Sequence, residues 1–447
     1  MPSPTLGTLQ VQALSKASPS AVVSAAARLG GYTRRNRWLG GNNRYAMDIL
    51  AQLREDFDNA SINSKHVSEL LAASAPSHCI DGWSFLGRAM ACHFKGDADS
   101  ARHLGYYAEL RAGAALLATA GIGVFNDPHV VVDSAGSVVR LFGHGTHVMM
   151  WLAIEHWANS TDAADVLGKA LAPASVPMDI WLGNMPGGSA WRPIGKSWLL
   201  SLGLDLKYLA QDREARNRAS YRPSHLPEAR ATLGAPAAAR FGVDLWSLLE
   251  PTTYRAFDRL DLHFLRQTLE VAFRSVRDRS PRQAPQLFKR DIDATVASTL
   301  GSGVPADAVR RFLLRETEPD DAGLLKAALG GSDYREAQHH VYVMARAALL
   351  LRIATGATRA MLHDAGILFT DVKFWWEDIG RSRGLWDQTP DALDLPDLWA
   401  DVADALSALE GWLIAPGSSY MRLRSDCADS LAVLGGAEII GLWGLAS

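Results

Sequence analysis

Cysteine is nearly absent from this 447-residue chain: Cys79, Cys92 and Cys427 are odd in number, and no two stand in a CxxC spacing. A disulfide framework needs pairs and a zinc site needs three or four clustered ligands. Both are therefore excluded as organising devices, and a reducing cytoplasm is the expected compartment. Long apolar runs are missing as well. The longest candidate, Ala112–Phe125, is rich in small residues and broken by Gly121 and Gly123. It falls short of the ~18 residues that span a bilayer, so no membrane partner is expected. Lysine is scarce, with 9 against 36 arginines; with the abundant alanine this points to a GC-rich bacterial genome rather than to chemistry. A Walker A loop, a GxGxxG turn after a strand, a GxSxG elbow, a kinase signature and HExxH are all missing. The usual sequence support for nucleotide, dinucleotide, serine-hydrolase and zincin chemistry is therefore lacking, and no cofactor is called for.

Acid is absent from the first 47 residues, where Lys16, Arg28, Arg34, Arg35, Arg37 and Arg44 leave a charge of +6; the remaining 400 residues carry −9. Tyr32, Trp38 and Tyr45 interleave with these cations. Arginines neutralise phosphates and aromatic rings stack on unpaired bases, so Arg34, Arg35, Arg37, Trp38 and Arg44 form a candidate nucleic-acid-binding set. The competing reading is an arm whose rings pack on the body while its arginines face solvent. A second basic stretch, Arg274–Arg290, holds six cations against Asp278 around Pro281 and Pro285, and reads as a connector.

Most of the pattern has helical period. Trp83, Leu86, Met90 and Phe94 form one apolar stripe, and Ser100 is a candidate cap for a helix running to Gly121. Ala101, Gly105, Ala108, Ala112 and Ala115 on that helix predict close approach by a neighbour. Val130–Asp133 and Val138–Phe142 predict a β-hairpin through Ser134, Ala135 and Gly136. Toward the C-terminus, Ser332 or Asp333 is expected to start a helix running to Gly356. Leu395, Leu398, Val402, Leu406, Leu409 and Leu413 make a seam facing either the core or a partner. Its other face carries Asp387, Asp391, Asp394, Asp397, Asp401, Asp404 and Glu410. The expected organisation is a basic aromatic arm over 1–47 and a helical unit over 48–170 with a β-hairpin at 130–142. A mixed helix and loop region over 171–300 contains the 274–290 connector, and a helical domain with an acidic face covers 301–447. The fold class is predominantly α, with a small β-hairpin insertion.

Arg88–His93 has the form R-x4-H, and YYAELRAGAALL at Tyr106–Leu117 is a Tyr/Ala-rich helix. Together these resemble the HEPN-like helical superfamily, including its YaaC-like branch, over roughly residues 81–157. The resemblance implies a HEPN-like unit and metal-independent RNA cleavage in a bacterial defence or toxin-type system. His93 would be the general acid or base toward a ribose 2′-hydroxyl, and Arg88 would stabilise charge on phosphorus. Positions five apart lie ~140° around a helix, so the pair needs a second helix or a dimer to converge. His144, His147, Glu155 and His156 show only part of a ligand set, and no metal is called for. Asp371-Val372-Lys373, with Asp364 upstream, has the form of the acid-x-Lys half of a metal-dependent nuclease if it lies on a strand. The expected function is therefore a nucleic-acid-associated accessory or effector protein, with RNA or a single strand as partner. The alternative is a non-catalytic helical scaffold whose Leu395–Leu413 seam takes a protein partner or a second copy.

Overall fold

A computed structural model describes residues 4–446 apart from 189–194, 222–231, 252–256, 332, 387, 389–394, 416 and 418, and apart from the side chains of 221 and 395–398. The described residues are predominantly α-helical, with one three-stranded sheet. Three long helices make the centre: Ser64–His93, Ala98–Thr119 and His339–Asp364. The first is capped by Asn63, whose side chain accepts from His66 N. For the second, the cap falls one turn earlier than expected. Asp97 accepts from Ser100 N at 3.0 Å, so Ser100 supplies the donor rather than the cap. The small residues of this helix act as the pattern predicts: Ala101, Ala108, Ala112 and Ala115 are fully buried. A methyl group on Gly105 would press to 3.2 Å from Val343 of the His339–Asp364 helix, and one on Gly82 to 2.5 Å from Leu351. Glycine at these two positions lets the three helices close on one another.

His339–Asp364 is long and apolar enough to cross a membrane, which makes it, rather than Ala112–Phe125, the strongest such segment. Here 94% of its apolar window is buried among the other helices. The sheet is antiparallel in the order β1 (Ile122–Gly123), β2 (His129–Val132), β3 (Val138–Leu141). The predicted hairpin forms with Val131 opposite Val139. Its turn is held by the Asp133 carboxylate, which accepts from Ala135 N and Ser137 N, with Gly136 in the left-handed region. β1 adds to β2 as a short third strand outside the predicted hairpin.

One apolar cluster runs from Ala13 and Leu14 through Trp83, Leu117, Trp246, Leu269 and Met344 to Trp443, so the core is continuous across residues 170 and 300. The Leu395–Ile414 helix belongs to this core. Val402, Leu406 and Leu409 are buried, and Trp399 packs against Trp246 and Trp443 with ring centroids 6.0 and 5.2 Å away. The seam is thus taken up by the protein's own interior, while Asp401, Asp404 and Glu410 face outward. The helix expected from Ser332 or Asp333 to Gly356 starts at His339, after non-helical residues from Asp333 on, and runs past Gly356 to Asp364. Asp387, Asp391 and Asp394, residue Ser332, and the side chains of Leu395, Asp397 and Leu398 lie outside the described residues.

Candidate nucleic-acid interface

The structure separates Arg88 from His93. Arg88 is exposed, with its guanidinium 4.4 Å from the Phe85 ring centroid. His93 has no exposed surface and lies edge-on to Phe241. Its Nε2 is 3.1 Å from the Ala238 carbonyl, which can only accept, so Nε2 carries the proton. In the neutral pair, Nδ1 then accepts from Nε2–H of His340 at 2.9 Å. Burial lowers the His93 pKa from 6.5 to about 4. Both ring nitrogens are engaged and no face is open to a ribose hydroxyl. The Arg88/His93 catalytic expectation is therefore corrected: helical geometry turns one side chain into the core and the other into solvent.

The residues that do converge form a buried polar hub. Arg346 grips Asp212 with two hydrogen bonds of 2.8 Å, and its remaining nitrogen donates to the carbonyls of Ala328 and Gly330. Glu109 lies 3.8 Å from Arg346, and all three side chains have zero exposure. One guanidinium faces two carboxylates here. Burial, and then the Asp212 charge, push Glu109 well above the usual carboxylate range; burial also raises Asp212, with Arg346 pulling it back. His339 Nε2 stands 3.6 Å from Asp212, and its Nδ1 accepts from Arg102 Nε at 3.2 Å. A second closed pair, Arg352 with Asp261, is tied to the chain by Ala172 N donating to Asp261 at 2.9 Å. Charges buried this way must be paired, because an isolated one costs several kcal/mol. The sequence signal was available: His339, His340, Arg346 and Arg352 interrupt an otherwise apolar helix. Asp212, which meets Arg346, and Asp261, which meets Arg352, come from distant helices that no local pattern identifies.

The remaining chemistry-bearing motifs disperse. His147 sits between the Tyr106 hydroxyl at 3.0 Å and Arg216 at 2.9 Å, whereas exposed His144 faces the Thr5 carbonyl. Among the described residues, no three His, Cys, Asp or Glu side chains are grouped to hold a metal. Asp371 lies in a 3-10 turn, Phe369–Val372, where it accepts from Leu368 N, and Lys373 begins a helix and pairs with Glu377. The strand expected for the acid-x-Lys motif is a helical turn instead.

The N-terminal arm is folded, with helices at Thr8–Leu14 and Pro19–Thr33. Its aromatic rings are spoken for. Trp38 packs edge-on against Phe374 and Trp375, while Tyr45, 1% exposed, donates its hydroxyl to Asp56 at 2.6 Å. Burial and that carboxylate push the Tyr45 phenol up to about 12. Arg44 pairs with the same Asp56 at 2.7 Å and with Glu55. Trp38 is thus partly buried against other rings, and the exposed Arg44 is paired with acids. Arg34, Arg35 and Arg37 differ: all three are exposed, and among the described residues none has a carboxylate partner. Such cations are free to meet phosphate. Comparison with protein-family models, with curated proteins and with solved structures gives no match for this chain.

Proposed function

We propose that this protein is a nucleic-acid-associated accessory protein that binds RNA or a single strand through the phosphate backbone without cutting it. The observation that carries this reading is the exposed Arg34, Arg35, Arg37 cluster, which has no carboxylate partner among the described residues, whereas Arg28, Arg44, Arg102, Arg346 and Arg352 are paired with acids. Phosphate contacts of this kind position a strand without reading its sequence. The hydrolytic reading has no support from the pair that motivated it, since His93 is sealed from solvent. The partner-scaffold reading loses its seam to the core.

The test is fluorescence anisotropy of a labelled single-stranded RNA across a salt series. Replacing Arg34, Arg35 and Arg37 together with Ala is expected to reduce the slope of log affinity against log salt by about 2, at roughly 0.7 per contact. An unchanged slope overturns the assignment. The RNA is expected to stay intact in EDTA and in magnesium; cleavage that disappears in His93→Ala would reinstate the nuclease.

A further inference from the structure

The basic stretch that reads as a connector in the sequence borders a cleft of about 1130 Å³. This is slightly above the ~300–1,000 Å³ typical of small-molecule pockets. Its walls come from the Asp258–Arg277 and Pro285–Leu300 helices, the end of Val304–Leu313 and the Gly195–Ser201 helix. Three cations line it without a carboxylate partner among the described residues: Arg274, Arg282 and Lys289, all exposed. Arg274 donates from Nε to the Glu270 backbone carbonyl at 3.2 Å.

The acids in the same lining each face an arginine. Glu270 is held by Arg315 through two bonds of 2.7 and 3.1 Å, and Asp321 takes Arg315 at 2.9 Å and Arg266 at 3.4 Å. Glu316 lies 3.7 Å from Arg310. The lining carries Arg274, Arg282, Lys289 and Arg315 against Glu270, Glu316 and Asp321, an excess of one positive charge, and a concave wall concentrates it. Two further features narrow the ligand. Hydroxyls of Ser197 and Ser280 lie along the lining and can donate to phosphate oxygens. Leu200 and Leu329, 51% and 52% exposed, also line it and provide apolar surface that an inorganic anion has no use for.

We propose that this cleft is a second nucleic-acid site, taking one unpaired strand with phosphates on Arg274, Arg282 and Lys289 and base or sugar faces against Leu200 and Leu329. The ligand class rests on the function proposed above; the residues do not, since none belongs to the arm. Cations and apolar faces in one cleft match a single strand, in which both phosphates and bases are accessible. In a duplex the bases are stacked inside, and nothing would meet the leucines.

The experiment uses the full chain and a fluorescein-labelled oligothymidylate in a salt titration, with three variants: the cleft triple Arg274→Ala/Arg282→Ala/Lys289→Ala, the arm triple, and Leu329→Ser. The cleft triple is expected to weaken binding about tenfold or more near 0.1 M salt and to lower the salt slope by about 2. Leu329→Ser is expected to weaken binding with the slope unchanged. Near-ultraviolet circular dichroism should match the parent for both, because the altered groups are surface residues. A photo-crosslinking thymidine analogue is expected to attach to peptides covering residues 267–289. Loss of binding in the arm triple alone overturns the cleft and leaves the proposed function standing. Loss in the cleft triple alone supports the cleft and removes the arm. Tripolyphosphate competing as well as the oligonucleotide, with Leu329→Ser silent, reduces the cleft to an anion site and overturns the strand assignment.

Discussion

Two arginine-rich regions of this molecule have opposite electrostatics. In the hub, Arg346 and Arg102 are buried: Arg346 meets Asp212 from a distant helix, and Arg102 meets Asp99 one turn back on its own helix and His339 from another. Around the 274–289 cleft, Arg274, Arg282 and Lys289 are exposed, and the nearby acids are already committed to other arginines. Arginine content cannot tell the two apart. A buried charge forces the fold to provide its counter-charge, whereas an exposed one can wait for a ligand. The arm contains both cases within a few residues: Arg44 is paired with Asp56, while Arg34, Arg35 and Arg37 are not.

The contrast is most exposed to test in the hub. Arg346→Ala leaves Asp212 and Glu109 buried without their cation and is expected to cost about 3–5 kcal/mol of unfolding free energy in a denaturant titration. A loss near the ~0.5 kcal/mol typical of surface changes would erase the distinction between the two regions. Next comes acid pH. The His93 pKa is lowered, so the unfolded chain takes up a proton near pH 6.5 that the folded protein refuses until about pH 4. Stability is therefore intact above pH 6.5 and falls as pH drops through that window, by roughly 3 kcal/mol for this residue. His263, 1% exposed and lowered to about 3 by burial and then Arg266, extends the decline in the same direction. Thermal melts in a pH series should show it, and a midpoint that does not move between pH 6.5 and 4 would contradict the sealed histidine. A smaller effect is expected from the arm triple Arg34→Ala/Arg35→Ala/Arg37→Ala. Its stability should stay within about 0.5 kcal/mol of the parent while its binding salt slope drops. Smallest of all is Arg88→Ala, which removes only a surface cation over Phe85 and is expected to change stability by less than about 0.5 kcal/mol. A large loss there would place Arg88 in a structural network.

Legibility followed the range of the interactions. The hairpin was readable because β-branched runs and an Asp-Ser-Ala-Gly turn are local, and the glycine and alanine face of Ala98–Thr119 was readable because helical spacing is local. The helix start differs from the Ser100 expectation because Asp97, one turn earlier, takes the Ser100 N–H and draws Ser100 into the first turn. The nuclease-like Asp371-Val372-Lys373 looked like a strand by its apolar flanks, but packing made it a turn leading into a helix. R-x4-H matched in letters and failed in geometry, because the core claimed one member of the pair.

Composition and periodicity alone determined the mostly helical architecture, the hairpin, the acid-free arm and the basic 274–290 stretch. These depend on neighbours along the chain and on net charge. Which cations are free was decided only by the tertiary structure. Asp212 reaches Arg346 across 134 positions, Asp261 reaches Arg352 across 91, and Glu270 reaches Arg315 across 45. Such pairings are set by how helices stack, not by any motif. Once they are made, Arg34, Arg35, Arg37, Arg274, Arg282 and Lys289 face solvent without a carboxylate partner among the described residues.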